Sequence, residues 1–212
     1  MRCFTLDLGL GLISIMETGY GYAQTATMNK FSAYLTALLL SVLLAVGTAR
    51  ADPIGGPFTL AGPENRVVSD SDFRGRWMLV YFGYTSCPDA CPTDLQRMTE
   101  ALDALGPLAE RIQPLLITLD PARDTPARLA EYVTMFHPRL MGLSGSTDQI
   151  DEVAKRFRAR FVRHPPDKDG NYAVDHTTII YLVGPHGGFV EWYKSGVPVA
   201  DMAQAIRRQM FR

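Results

Sequence analysis

The sequence predicts an α/β domain with a central mixed β-sheet flanked by helices, and three observations predict it. Trp77-Met78-Leu79-Val80-Tyr81-Phe82 and Pro114-Leu115-Leu116-Ile117-Thr118-Leu119 are unbroken apolar runs of strand length, the mark of strands buried on both faces. Segments with apolar residues at helical spacing follow each of them. Near the C-terminus, residues 177–183 and 188–193 flank Gly184-Pro185-His186-Gly187, the pattern of a β-hairpin.

Taken in order, the elements justify themselves as follows. After the first strand, Pro92 suits the first turn of a helix, and Leu95, Met98, Leu102 and Leu105 share one face until Gly106-Pro107 stops it. After the second strand, Asp124 or Thr125 caps a helix at Pro126, with Leu129, Val133 and Phe136 turned inward. A short apolar piece at 140–143 precedes Ser146 or Thr147, a cap for a helix that buries Ile150, Val153 and Phe157. The hairpin follows, and a last helix from Val199 to about Phe211 carries Met202, Ala205, Ile206 and Met210 on one side. Two strand–helix units, then a hairpin and a closing helix, is the order of a thioredoxin-like fold. Its expected extent is 63–212. Residues 52–62 are rich in Pro and Gly and read as a linker with room for an edge strand at 58–60.

At 212 residues, 47 % apolar and with a formal net charge of −1, the chain suits one domain with a proper core. That balance excludes a nucleic-acid binder. Met28-Asn29-Lys30 opens a basic segment, 31–47 is weakly polar to apolar, and Ala49-Arg50-Ala51 is a small-x-small site. Basic, apolar, then small-x-small is the layout of a secretory signal peptide, so 28–51 is expected to be a signal peptide or, if uncleaved, a membrane anchor. The rest of the chain is then exported, to the periplasm, as a soluble or inner-membrane-anchored protein. Residues 1–27, with Cys3, do not fit this plan and are expected to be a mis-assigned upstream start.

The exported part then holds two cysteines, in Phe82-Gly83-Tyr84-Thr85-Ser86-Cys87-Pro88-Asp89-Ala90-Cys91-Pro92. Cysteine acts as its thiolate, which a helix N-terminus stabilises through its unpaired N–H groups. Cys91 lies at that place. Residues four apart on one helical face can form a disulfide or share one ion, so electron exchange, metal binding and a structural staple all stay open. As a staple the pair closes too small a loop to stabilise much. Two thiolates do not fill a zinc site, whereas two sulfurs and one imidazole suit Cu(I) or Cu(II). Of the four histidines, His137, His164 and His186 are accounted for by a helix end, a polar loop and a turn. His176 differs, because it begins an apolar strand beside Asp175, a carboxylate able to orient the ring. A strand-initial histidine is more often structural, so the residues alone leave its role open. Phe82 is expected in the core, while Trp192 and Tyr193 fit either a core or a partner surface.

Three segments together carry a resemblance. Residues 81–92, then Thr118-Leu119-Asp120-Pro121-Ala122-Arg123-Asp124-Thr125-Pro126, then Tyr172-Ala173-Val174-Asp175-His176-Thr177-Thr178, closely resemble the SCO/SenC family of copper chaperones. The family is thioredoxin-like, lives at the mitochondrial inner membrane and in the bacterial periplasm, and assists assembly of the binuclear copper centre of cytochrome c oxidase. The resemblance implies that Cys87, Cys91 and His176 bind one copper ion, as Cu(I) or Cu(II). It implies that the loop from Arg163 to Ala173 folds over the metal, and it places Asp120 just outside the metal's ligands, where the plainer reading is a turn residue. The implied partners are cytochrome c oxidase subunit II and, beyond it, another periplasmic copper chaperone or a thioredoxin-like reductant. The implied function is copper delivery to subunit II, or preparation of its copper site. The alternative is a thiol-disulfide oxidoreductase whose redox pair, Cys87 and Cys91, reduces the cysteines of that site.

Overall fold

The computed structural model describes residues 53–212, together with Tyr34. The expectations for residues 1–27 and 28–51 otherwise lie outside the described residues. In chain order the elements are β1 (Thr59–Ala61), β2 (Val67–Ser69), β3 (Trp77–Gly83), α1 (Ala90–Leu105), β4 (Ile112–Thr118), α2 (Pro126–Val133), β5 (Met141–Leu143), α3 (Thr147–Arg156), β6 (Phe161–Arg163), β7 (Val174–His176), β8 (Ile179–Val183), β9 (Phe189–Lys194) and α4 (Val199–Met210).

The two apolar runs form the middle of a five-stranded mixed sheet of order β5-β4-β3-β8-β9. β3 runs parallel to β4, from Trp77 opposite Ile112 to Gly83 opposite Thr118, and β4 parallel to β5. β8 is antiparallel to β3 and to β9. Every residue of β3 and β4 is buried, as strands covered on both faces must be.

Alternation along β3 sends neighbouring side chains to opposite faces. Tyr81 goes to the α1 side, where its hydroxyl donates to Asp94 of that helix at 3.3 Å. Phe82 goes to the other side, against Phe157 just past α3 and Tyr181 of β8, with ring centroids 5.3 and 6.0 Å apart. α4 packs beside α1.

The caps follow local chemistry. Thr125 caps α2 by accepting from Arg128 N at 3.3 Å, with Pro126 at the first position. Ser146 caps α3 in a reciprocal box with Gln149, at 3.2 and 2.8 Å. Gly106, at φ +59°, ends α1.

Several elements differ from the sequence reading. α1 starts at Ala90, so Cys91 and Pro92 both lie within its first turn. β1 pairs with β2, which the sequence reading did not foresee, and Ala61 also bridges Ser144. His176 does not open the hairpin strand. It closes β7, which pairs only with β6 in a two-stranded ribbon, and the hairpin strand begins later, at Ile179. Tyr193 and Phe82 are buried, whereas Trp192 is 44 % exposed.

Candidate metal centre

The chain leaves β3 at Gly83 and turns through residues 84–89 into α1. The Cys87 backbone N–H closes a turn onto the Tyr84 carbonyl at 3.3 Å. The start of this loop is pinned from below. The Asp124 carboxylate, fully buried, accepts from the backbone N–H of Thr85 at 2.9 Å, from the Thr85 hydroxyl, and from the Thr118 hydroxyl at 2.7 Å. Cys87 therefore stands in the loop and Cys91 in the helix. The thiols meet because the loop turns, rather than because they share a helical face. Gly83 makes room for the second thiol: a Cβ there would stand 3.1 Å from Cys91 Sγ and 2.9 Å from the Tyr81 ring.

His176 reaches this point from the ribbon. Its Nε2 lies 3.2 Å from Cys91 Sγ, and its Nδ1 lies 3.1 Å from the Thr177 carbonyl oxygen. A carbonyl only accepts, so Nδ1 carries the proton and Nε2 presents its lone pair to the thiols. The rings of Tyr81 and Tyr84 meet the imidazole edge-on, with centroids 6.1 and 6.0 Å away, and hold its plane. The Tyr84 hydroxyl also accepts from Val174 N of β7 at 3.4 Å, tying the ribbon to the site.

The sulfurs of Cys87 and Cys91 and one nitrogen of His176 all lie within 4.8 Å of one another. Cys91 is buried, whereas Cys87 and His176 are half-buried, so the group opens to solvent on one side. Both cysteines are free thiols.

The two thiols titrate unequally. The hydrogen bond from Cys91 holds Cys87 far below an ordinary thiol, at about 3, against its own partial burial and with help from the Cys91 and Asp89 backbone. Cys91 is pushed up by that same hydrogen bond and by burial. The resting pair thus carries one negative charge, on the more exposed sulfur. Two soft sulfurs and one imidazole nitrogen fit Cu(I) and also Cu(II). A structural zinc site needs four ligands, and this group offers three.

A latch holds the histidine ribbon down. The loop between β6 and β7 is closed by bonds from His164 N to Ala173 O at 3.0 Å and from Asp167 N to Asn171 O at 2.8 Å. At its end the Tyr172 hydroxyl donates to Asp120 Oδ1 at 2.6 Å, and Arg123 Nε donates to the other oxygen of that carboxylate. The Arg123 guanidinium also lies over the Tyr172 ring, 3.6 Å from its centroid. Arg163 fastens the other side, donating to the Leu119 carbonyl at 2.7 Å and pairing with Asp151 at 2.8 Å.

Two expectations change here. Asp120, fully buried, is taken up by Tyr172 and Arg123, so it serves the loop and not the thiols. Asp175 is exposed and turns away to His164, at 2.8 Å, so it does not orient the His176 ring; the Thr177 carbonyl does. The other histidines are accounted for locally. His137 Nδ1 accepts from Arg139 N at 3.1 Å, and the His186 carbonyl accepts from Arg74 in the hairpin turn. Sequence reasoning missed the latch and the Asp124 pin. Their advance signals were the three segments quoted for the resemblance, which hold Thr85, Asp120, Arg123, Asp124 and Tyr172 but do not encode these contacts.

Comparison with known proteins shows which family the chain resembles. The SCO1/SenC family matches residues 46–211. The mitochondrial SCO2 homologue of Bos taurus is 43 % identical over 157 residues, 73 % of this chain and 59 % of its own. The chain thus spans 53–62 % of the length of the mammalian curated relatives it matches. The crystal structure of Arabidopsis thaliana ScoI with copper bound superposes with a TM-score of 0.70 at 35 % identity, covering 74 % of this chain and 98 % of that one. The structure that identified a disulfide switch in BsSco, a member of the Sco family of cytochrome c oxidase assembly proteins, gives a TM-score of 0.58 at 27 % identity, over 74 % and 95 %. With its thioredoxin-like sheet and its match to the family over residues 46–211, this chain belongs to the SCO1/SenC family.

Proposed function

We propose that the protein binds one copper ion through Cys87 Sγ, Cys91 Sγ and His176 Nε2 and passes it on during assembly of the binuclear copper site of cytochrome c oxidase subunit II. The observation that carries this reading is the convergence of the three donor atoms within 4.8 Å, from a loop, a helix and a separate ribbon. A dithiol exchanger needs no such imidazole. The copper held by the Arabidopsis relative supports the same reading.

The unequal thiols suit uptake and release. Cys87 is already a thiolate at the open side and meets the incoming ion first, and Cys91 then loses its proton as the second sulfur binds. Nε2 of His176 completes the site without a change of tautomer. Three ligands leave one direction free, through which an acceptor's ligand can attack while Cys87 lets go. The compartment in this reading is outside the cytoplasm, with residues 28–51 serving as a leader or tether and residues 63–212 as the copper-binding domain.

A second reading is favoured by one observation: both thiols are free, and one is strongly activated. In it the Cys87 thiolate attacks a disulfide of subunit II and displaces one of its sulfurs as a thiolate. Cys91 then attacks Cys87, leaving an intramolecular disulfide here and two reduced thiols there, a two-electron exchange. The disulfide switch of BsSco supports keeping this chemistry in view. Copper titration of the reduced protein separates the readings. The chaperone reading expects His176→Ala and Cys87→Ser both to weaken copper binding, with thiol reduction of a subunit II peptide surviving only in His176→Ala. Unchanged copper affinity in His176→Ala would favour the oxidoreductase.

A further inference from the structure

Asp94 is a buried carboxylate to which neither copper binding nor thiol exchange has given a task. It follows Cys91 by three residues on α1, so it stands about one helical turn from the second sulfur, and it is 1 % exposed. Two hydroxyls hold it. Tyr81 of β3 donates to Oδ2 at 3.3 Å, and Ser195, just after β9, donates to Oδ1 at 2.8 Å. Arg97 comes only to 3.9 Å, from a side chain that is 37 % exposed. Hydroxyls satisfy a carboxylate without cancelling its charge, and a surface cation is partly screened by water. Burying a carboxylate is costly even when it is hydrogen-bonded, and an apolar side chain of the same size would fill this space without that cost.

The position of Asp94 ties it to the thiols. Tyr81, whose hydroxyl it holds, also meets the His176 ring edge-on with centroids 6.1 Å apart. The Tyr81 ring and Cys91 Sγ border the same small space, the one a Cβ would take at Gly83. Burial, and after it the neighbouring Cys91 and Asp94, push the Tyr81 pKa above the ordinary phenol range, so its hydroxyl stays a donor. The carboxylate thus lies on the buried side of the pair, away from the water that would weaken its field.

A fixed charge there acts on electron transfer. Reduction of a Cys87–Cys91 disulfide takes up two electrons and one proton and leaves one thiolate and one thiol, so the pair gains one negative charge. That charge rests on Cys87, whose Sγ accepts from Cys91 N at 3.4 Å. A step from Cu(II) to Cu(I) at the same three ligands also adds one negative charge. At the effective dielectric of a protein interior, a unit charge about 10 Å away disfavours either step by about tenfold or more. We propose that Asp94 is a positioning residue that holds Tyr81 against the second sulfur and, with its buried charge, sets the electron affinity of the centre, favouring the disulfide and, when copper is bound, Cu(II). The copper part of this inference rests on the reading of the site as a copper centre, whereas the thiol part does not.

The test starts with the metal-free full chain. It is equilibrated at pH 7 with mixtures of reduced glutathione and glutathione disulfide, quenched with acid, and the fraction of Cys87–Cys91 disulfide is read by mass spectrometry. Asp94→Asn keeps the size of the side chain and an oxygen for Tyr81 but removes the charge. It should favour the dithiol by about tenfold, equivalent to about 30 mV. Ser195→Ala removes a hydrogen bond and keeps the charge, so its constant should stay close to that of the wild type. Arg97→Gln removes the surface cation and should shift the constant the opposite way, toward the disulfide, by a smaller factor. Equal constants in the wild type and Asp94→Asn overturn the proposal. So does a shift in Ser195→Ala as large as in Asp94→Asn, which would trace the effect to the hydrogen bonds alone. If Asp94→Asn does not fold, Arg97→Gln decides: a shift toward the disulfide supports the proposal, and no shift or one toward the dithiol overturns it. Copper titration of the same proteins keeps the two readings apart. Ordinary copper binding with equal constants sinks the role of Asp94 alone, whereas shifted constants in a chain that binds no copper sink the copper reading and spare Asp94.

Discussion

Replacing Tyr172 by Phe tests how His176 is held. The ring remains to stack on Arg123, and only the hydroxyl that donates to Asp120 at 2.6 Å is lost. A hydrogen bond to a charged acceptor contributes about 1.5–3 kcal/mol, and because Tyr172 is half-buried water recovers part of it, leaving about 1–2 kcal/mol. That favours opening of the 164–176 segment by about 5–30-fold. Hydrogen exchange of the metal-free protein should show the amides of His164 and Gly170, both bonded within the loop, exchanging faster by that factor. Exchange in β3 and β4 should be unchanged. Copper release to an excess chelator should accelerate by a similar factor, because His176 ends the strand that the loop delivers. Unchanged exchange at 164–176 would refute the latch. Faster exchange with unchanged copper release would show that ribbon opening does not limit the loss of copper.

Other consequences can be checked as directly. Because the pKa of Cys87 is lowered to about 3, its thiolate persists as pH falls, so alkylation of the reduced protein should stay selective for Cys87 and nearly constant in rate from pH 8 to about pH 5. A tenfold fall per pH unit, measured by peptide mass spectrometry, would contradict the assigned charge. Gly83→Ala places a Cβ 2.9 Å from the Tyr81 ring and 3.1 Å from Cys91 Sγ. It should cost about 1–3 kcal/mol, seen in calorimetry as a Tm lowered by several degrees, together with weaker copper binding. Asp175→Asn should leave copper affinity unchanged, since Asp175 pairs with His164 and not with the ligand ring. A severalfold loss by titration would restore the carboxylate to the site.

The residues that made the fold legible were those whose pattern is local. The runs through Leu79 and Leu116 are long enough to be nothing but buried strands, and Thr125-Pro126 and Ser146 with Gln149 are caps readable within four residues. The cysteines were legible for the same reason, lying where a strand turns into a helix. His176 was not: its strand has three residues, too few for alternation, and pairs with another of three across a ten-residue loop. Only the resemblance singled it out. The mistaken role for Asp175 has a simple geometric cause, since neighbours in a strand point to opposite faces, so a residue beside a ligand in sequence faces away from it in space. The contact between Tyr172 and Asp120 joins residues 52 apart, and no local pattern encodes such a pair.

The central claim is that three particular side chains hold one copper ion, and X-ray absorption at the copper edge of the loaded full-length protein tests it most directly. The account predicts a first shell of two sulfurs and one imidazole nitrogen, with the nitrogen signal lost and both sulfurs kept in His176→Ala. A spectrum that is the same in the wild type and His176→Ala, or one with fewer than two sulfurs in the wild type, would contradict it.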